Sequence, residues 1–332
     1  MTAEPIWIDE ADVVRLMHLG EAIPALERGL AEEAAGRAKN LEKTAQHWGK
    51  GSNMHAIGAV YDGAGIFGTK TWGHTEHGST PLLILWDAGN GRLLAIVEAF
   101  ALGQMRTGAM SGVGTRWMSA PEADELAVVG TGKQATTQVA AVVAVRPIRR
   151  IRVWGPTPEH RMAFAEKVRA SHPGIEVVTA ESCAAAVKDA PIVTLITRAR
   201  HPVVNAAMLA RGAHVNAAGA ITAERREFDE DLFPRADLVA VDSLETARRQ
   251  SSEFMDWYGE ALGDEWAGVR RICDLVGKGD ARPANCDLTI FKPMGMGISD
   301  LALGIEILAR ARKAGAGRAM PHPQRIPPRL HE

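Results

Sequence analysis

The sequence predicts an α/β fold, a doubly wound parallel sheet joined to a second α+β domain, and three observations predict it. Between Leu126 and about Ser243, short apolar runs alternate with helix-period segments, the pattern a parallel sheet needs when helices cover both its faces. The first of those runs, Leu126–Val129, leads straight into Gly130-Thr131-Gly132 and then a helical period from Gln134 to Val145. Strand, tight glycine turn and helix in that order point backbone N–H groups and a helix N-terminus at a phosphate. Finally, the 332 residues exceed what one core usually serves, since cores stop growing near ~250–300 residues.

Taken in order, the chain opens with Asp9 as the cap of a helix over Val13, Leu16 and Met17, and a second helix covers Glu21 to Gly36. From Asn53 the pattern turns to strand-like runs at Met54–Val60, Gly65–Trp72, Pro81–Trp86 and Leu93–Glu98. Between two of them, Asp87-Ala-Gly-Asn-Gly91 reads as a tight hairpin turn. A helix rich in small residues, Gly103 to Met118, closes this part, and Pro121 marks the boundary.

Six strands are then expected: Leu126–Val129, Arg150–Trp154, Ile175–Val178, Ile192–Ile196, His214–Ala217 and Leu238–Val241. The helices between them are Gln134–Val145, Pro158–Arg169, Ser182–Ala190, Asn205–Arg211 and a piece near Arg225–Leu232. With the glycine turn after its first strand, this is the Rossmann layout, in which Gly130 permits the sharp turn, Gly132 lets a pyrophosphate approach, and Ala135 allows close helix–strand packing. Helices over Leu244–Ala267 and Gly268–Val276, a loop from Phe291 to Asp300 and a final helix Leu301–Lys313 complete the reading, with an extended tail after Gly315.

Composition excludes several classes. A formal net charge of −2 offers no field for nucleic acid or an anionic membrane, and no apolar run approaches the ~18–20 residues of a membrane span. Cys183, Cys273 and Cys286 have neither disulfide-framework nor zinc-site spacing, which points to a reducing cytoplasm. The N-terminus carries no signal-peptide pattern. His74 and His77 lie three apart in a glycine-bearing loop with no third ligand in reach, so no metal is expected.

Gly68-Thr-Lys70, Ser79-Thr-Pro81, Arg106-Thr-Gly-Ala109 and Val129-Gly-Thr-Gly-Lys-Gln-Ala135 occur in that order, followed by Thr197, Gly212-Ala-His-Val-Asn-Ala-Ala-Gly219, Arg226-Glu227 and Phe291-Lys-Pro-Met-Gly295. Together they resemble the ornithine cyclodeaminase/μ-crystallin family over nearly the whole chain. The resemblance implies a Rossmann domain over residues 119–301 and a substrate-binding, homodimer-forming domain from residues 1–118 with 302–332. It matches Lys70 to a lysine at the substrate and Arg106 to an arginine between substrate carboxylate and cofactor. Thr80, Lys133, Gln134 and Thr197 match cofactor-contacting positions, and Lys43 is the nearest candidate for a further carboxylate-gripping cation.

Two departures matter. Ile221 stands where cyclodeaminases place an acid, in Gly219-Ala-Ile221, so the resemblance points to the imine reductase or amino-acid dehydrogenase branch. At the end of the second strand, Gly155-Pro156-Thr157 replaces the acid of a classical NAD site, which leaves NAD and NADP both open, with Arg161 or His160 able to meet a 2′-phosphate.

Imine reduction needs a hydride, a proton at nitrogen and a cation for the carboxylate. Arg106 suits the last because its planar fork grips a carboxylate bidentately. Lys70 would orient the substrate or exchange a proton if burial and a neighbouring cation lowered its pKa. His74 is a further proton-donor candidate. Met294 and Met296 are expected on the pocket wall, His214 in the sheet, and Arg146–Arg152 as a solvated connection. The alternatives are ornithine cyclodeamination and a cofactor-dependent binding protein with little turnover.

Overall fold

Hydrophobic alternation in the first hundred residues builds one sheet, and near-continuous apolar strands after Pro121 build another. The computed structural model describes residues 4–259, 264–280 and 282–331. Its first part comprises β1 (Ile6–Ile8), α1 (Glu10–Leu16), α2 (Leu19–Ala34), β2 (Ala38–Asn40), β3 (Thr44–Trp48), β4 (Ser52–Tyr61), β5 (Ile66–Thr75), β6 (Gly78–Ser79), β7 (Leu82–Asp87), β8 (Leu93–Glu98) and α3 (Phe100–Met118). Asp9 caps α1 by accepting a hydrogen bond from the Asp12 amide, as its sequence position predicts.

The second part follows with β9 (Glu125–Val129), α4 (Ala135–Val143), β10 (Arg150–Trp154), α5 (Pro158–Ser171), β11 (Glu176–Thr179), α6 (Cys183–Val187), β12 (Ile192–Leu195), β13 (Ala213–Ala217) and β14 (Ala236–Val241). Then come α7 (Leu244–Gln250), α8 (Ser252–Tyr258), β15 (Val269–Arg271), α9 (Ile272–Lys278) and β16 (Leu288–Lys292), before α10 (Gly297–Ala314) and β17 (Arg318–Ala319) return to the first sheet.

The first sheet runs β17-β1-β8-β7-β5-β4-β2, with β3 and β6 added on β4 and β5. The second runs β11-β10-β9-β12-β13-β16-β14-β15, and all its pairings are parallel. The chain moves outward from β9 to β11 and then crosses back to β12, so the order reverses between β9 and β12. Ligands of doubly wound sheets sit outside the carboxyl ends of the strands at such a switch point.

Between the sheets lies α3, whose small residues let neighbours approach on every side. A Cβ at Gly108 would sit 2.6 Å from the Thr137 carbonyl oxygen of α4, and one at Gly114 would overlap the Phe291 ring at 2.3 Å. One core joins α2, α3, α10 and the first sheet, while two others cover the opposite faces of the second sheet. Packing returns α10 to the first sheet from its first residue, because Gly297 lies against the Gly58 backbone of β4 and Ala302 against Gly29 of α2.

Several elements differ from the sequence reading. The second sheet contains β16 between β13 and β14, where a loop was expected from Phe291 onward. Lys292 hid that strand, since its charge interrupts the apolar run, yet it is fully buried and paired to Glu253. The helix expected at Asn205–Arg211 is only a 3-10 turn at Ala206–Met208, and the one near Arg225–Leu232 is a 3-10 segment at Glu230–Arg235 containing Pro234. The helix expected over Leu244–Ala267 breaks at Ser251 and ends at Gly259, whose φ is +76°, while its residues 260–263 lie outside the described chain, as do residues 1–3 and 332 of the expected terminal segments. His74 belongs to the strand β5 rather than to a loop.

Candidate active site

On one side of the cleft the loops leave the carboxyl ends of the parallel strands of the second sheet. From β9 comes the glycine turn: Gly130 adopts φ +114°, and a Cβ there would lie 2.4 Å from the Ile196 carbonyl oxygen. At Gly132 nothing lies within 4 Å of where a Cβ would be, so the space above the turn is open. Gln134 precedes α4 without a side-chain cap, and although the Ala135 amide donates to the Gly132 carbonyl at 3.0 Å, the next first-turn N–H groups, of Thr136 and Thr137, are left for a ligand. This cradle fits a pyrophosphate.

The loops from β12 and β13 are tied together by Glu227. Its carboxylate accepts from the Thr197 amide at 2.6 Å, the Thr197 hydroxyl at 2.9 Å, the Gly219 amide at 2.7 Å and the Ala220 amide at 3.0 Å. A Cβ at Gly219 would fall 2.3 Å from Thr197 backbone atoms, so only glycine lets these loops touch. Glu227 is fully buried, and burial raises its pKa against the opposing pull of Lys292. Beneath it Glu253 accepts from the Glu227 amide at 3.0 Å and pairs with Lys292 at 3.2 Å.

The ribose end of the cleft is formed by β10. Gly155 replaces the usual acid, and a Cβ there would already lie 3.1 Å from the Thr131 side chain. Thr157 caps α5 without a side-chain hydrogen bond to the helix, and Arg161 donates to the Gly155 carbonyl at 3.3 Å. These residues carry no carboxylate to repel a 2′-phosphate.

Across the cleft stands the first sheet. Lys70 occupies the middle of β5, opposite Ile57 of β4 and Leu83 of β7, and is only 4% exposed. Its ammonium hydrogen-bonds to Asp300 Oδ1, in the first turn of α10, and lies 5.0 Å from the centre of the Trp72 ring. Arg106 reaches the same carboxylate oxygen from α3, with Nε at 3.5 Å. Burial lowers the Lys70 pKa to about 8; Asp300 opposes the shift and Arg106 adds to it. Lys43, half-buried in the β2–β3 connection, faces the same group, and burial followed by Arg106 lowers its pKa as well.

Lys70, Arg106, Lys133 and Gln134 line one cavity together with Gly103, Thr107, Ser79 and Pro81. The glycine turn and the Lys70–Arg106 pair therefore face one space. Thr80 lies exposed between Ser79 and Pro81 on its rim. A second cavity, beyond Lys43, is lined by Ile57, Gly295, Met296 and Arg249 among others. Gly295 is needed there: its φ is +88°, and a Cβ would lie 2.9 Å from a terminal nitrogen of Arg106.

Two expected site residues stand apart. His74 is exposed near the end of β5, roughly 13 Å along the strand from Lys70 at ~3.3 Å per residue. Met294 is 1% exposed within the core under the second sheet, and it is Met296 that reaches the cavity wall. Ile221 packs partly buried against that same core.

Two carboxylates escaped the sequence reading. Asp300 looked like an ordinary acid in the first turn of a helix, where the macrodipole favours one. Asp242 ends β14, and its oxygens accept from the Met294 and Gly295 amides, each at 2.7 Å. An acid at the carboxyl end of a strand in a doubly wound sheet was a readable signal for a site. Among the described residues no group of three or more His, Cys, Asp or Glu side chains is placed to hold a metal ion.

Residues 4–314 match the ornithine cyclodeaminase/mu-crystallin family. The chain belongs to that family. Mouse (Mus musculus) ketimine reductase mu-crystallin is 30% identical over 298 residues, covering 84% of this chain and 88% of that protein. A Δ1-pyrroline-2-carboxylate reductase of Bacillus cereus is 30% identical over 237 residues, 71% of this chain and 72% of that one. Among solved structures, the Thermococcus litoralis Δ1-pyrroline-2-carboxylate reductase in complex with NADH and L-proline superposes with a TM-score of 0.87 at 26% identity, over 95% of this chain and 100% of that one. The family fold thus extends over both sheets, and the glycine turn lies within it.

Proposed function

We propose that this chain is an NAD(P)-dependent reductase of the C=N bond of small 2-imino acids or cyclic ketimines, running in reverse as an amino-acid dehydrogenase. One observation carries the reading: a buried lysine and an arginine that share a carboxylate line the same cavity as Lys133 and Gln134, the two residues that directly follow the glycine turn. The relatives named as ketimine and pyrroline-carboxylate reductases agree with it.

Bound NAD(P)H supplies a hydride; Gly130, Gly132, Lys133, Gln134, Gly155, Thr157, Thr197, Gly219 and Thr80 would hold it. The remaining work belongs to side chains of this chain. Arg106, with Lys43, grips the substrate carboxylate and so fixes the imine carbon in line for attack. Lys70 gives a proton to the imine nitrogen, so that C=N becomes CH–NH, and regains it from solvent before the next turnover. A pKa near the working pH suits that exchange. Lys70 sits behind Trp72 and Pro81 and is nearly sealed from water, which strengthens each of these electrostatic contacts.

The deciding experiment compares oxidation of NADH and NADPH over 2-oxo acids with ammonia or methylamine, over 1-pyrroline-2-carboxylate and over an acidic imino acid such as iminosuccinate. No turnover on any of them would sink the reductase reading in favour of a binding protein. Proline and ammonia formed rapidly from ornithine with catalytic NAD would instead establish cyclodeamination, a reaction for which apolar Ile221 supplies no acid.

We also infer a cytoplasmic homodimer. Cys183, Cys273 and Cys286 are unpaired buried thiols, in keeping with a reducing compartment. The face of the first sheet carrying β3 leaves Trp48 half-exposed and Met54 52% exposed, apolar surface that a second copy would cover. Light scattering of Trp48→Glu beside the parent tests this, with a shift toward monomer expected.

A further inference from the structure

We infer that Asp300 is the positioning residue of the Lys70 proton: its carboxylate fixes the ammonium in the cleft and keeps it charged beside two other cations. This rests on the reading of Lys70 as proton donor. The groups facing Lys70 come from every element around it. Asp300 approaches from α10, Arg106 from α3, Lys43 from the β2–β3 connection and the Trp72 ring from β5 itself. Asp242, at the end of β14, faces Arg106 and Lys43. Gly103 of α3 faces Lys70 without a side chain, a Cβ there being 3.7 Å from Nζ.

Asp300 is the anion among these that touches Lys70, and it is 1% exposed. Its Oδ1 serves both Lys70 and Arg106, while its Oδ2 is buried without a hydrogen-bond partner among the described residues. A carboxylate buried with one oxygen unpartnered is costly unless adjacent cations hold its charge. The first turn of α10 adds the positive end of an 18-residue helix. Its position therefore serves two cations at once as well as the helix N-terminus.

During reduction no bond to Asp300 forms or breaks. The hydride brings two electrons to carbon, the Lys70 ammonium releases its proton to nitrogen, and solvent returns a proton to Lys70. Without Asp300, burial and the like charges of Arg106 and Lys43 would act on Lys70 unopposed, and its proton would be lost at lower pH.

The test is the pH profile of imine reduction for the parent, Lys70→Ala, Asp300→Asn and Asp300→Glu, with competitive acetylation of Lys70, read by mass spectrometry on the cofactor-free protein, as a second readout. The parent is expected to lose activity on an alkaline limb that Lys70→Ala lacks. In Asp300→Asn that limb and the Lys70 acetylation midpoint both move at least one pH unit toward acid, a tenfold change in the protonated fraction. Asp300→Glu keeps the limb within half a unit but lowers kcat at least tenfold with NADH affinity unchanged; this arm decides if Asp300→Asn does not fold. A limb and midpoint unmoved in Asp300→Asn, or a fully active Asp300→Glu, would overturn the inference while leaving the Lys70 reading intact. A limb that survives in Lys70→Ala would overturn the Lys70 reading instead.

Discussion

Replacing Glu227 by alanine separates a cofactor-shaping role from simple burial. Its carboxylate is the acceptor for three backbone amides, those of Thr197, Gly219 and Ala220, and for the Thr197 hydroxyl. Each buried N–H left without an acceptor costs about 1–3 kcal/mol. The lower value applies here, since water can enter the space vacated by the carboxylate, and three amides then give about 3 kcal/mol. For a unit of 150–250 residues that corresponds to a fall in Tm of roughly 6–12 °C. Because the freed loops are those from β12 and β13 that flank the dinucleotide turn, NAD(P)H affinity should fall at least tenfold as well. Thermal denaturation by circular dichroism and quenching-based NADH titration measure the two effects. Glu227→Gln, which keeps one acceptor oxygen, should fall between parent and alanine. An alanine variant with Tm within 2–3 °C of the parent, about 1 kcal/mol, and unchanged NADH affinity would refute the idea that Glu227 holds these loops.

Gly130→Ala places a Cβ 2.4 Å from the Ile196 carbonyl at a φ of +114°, so NADH binding should weaken at least a hundredfold in fluorescence titration. Lys70→Ala should depress kcat/KM for imine reduction about 10²–10⁴-fold while NADH affinity stays within a few fold. Arg106→Ala should raise KM for the carboxylate substrate, the loss of a charged hydrogen bond of about 1.5–3 kcal/mol corresponding to about 10- to 150-fold. His214 is fully buried, and burial pulls its pKa to about 3. The unfolded chain therefore binds a proton that the folded one refuses between pH 6.5 and 3, so this residue makes stability rise with pH across that window. Between pH 4.5 and 6.5 its share is about 2.3 kcal/mol, a little under two units at about 1.36 each because the unfolded imidazole is half protonated at pH 6.5. Urea titrations of the parent and His214→Gln at both pH values should differ by that amount.

The second sheet was legible because its strands advertise themselves twice, as apolar runs and by the helices between them. Six of its eight strands, β9 to β14, fall within about two residues of the sequence reading. What hid β16 was one buried charge, and what hid β15 was its length of three residues. The first sheet was legible only in its central hairpins. Strands β1, β2 and β17 are too short for a period to show, and they exist because β8, β1 and β4 offer edges to pair with. Asn205–Arg211 failed as a helix for a related reason: its backbone serves tertiary contacts, with Arg235 donating to carbonyls of Ala206, Leu209 and Ala210.

The site divided along the same line between local and non-local signals. Gly130, Gly132 and Ala135 follow from chain geometry within ten residues, so the turn could be read directly. Lys70 and Arg106 are unremarkable in their own windows, one on a strand and one on a helix, and only family resemblance drew attention to them. What makes them a pair is Asp300, 230 residues beyond Lys70 in sequence and brought to it by the return of α10 to the first sheet. A charge at such a distance leaves no periodic trace. The pairing register supplies the constraint that demands it: a buried lysine at the centre of an antiparallel strand lies between Ile57 and Leu83, two apolar neighbours. A buried ammonium in that position requires an anion from another element. The last helix of the chain, which starts beside the glycine loop after β16, is the element that reaches it.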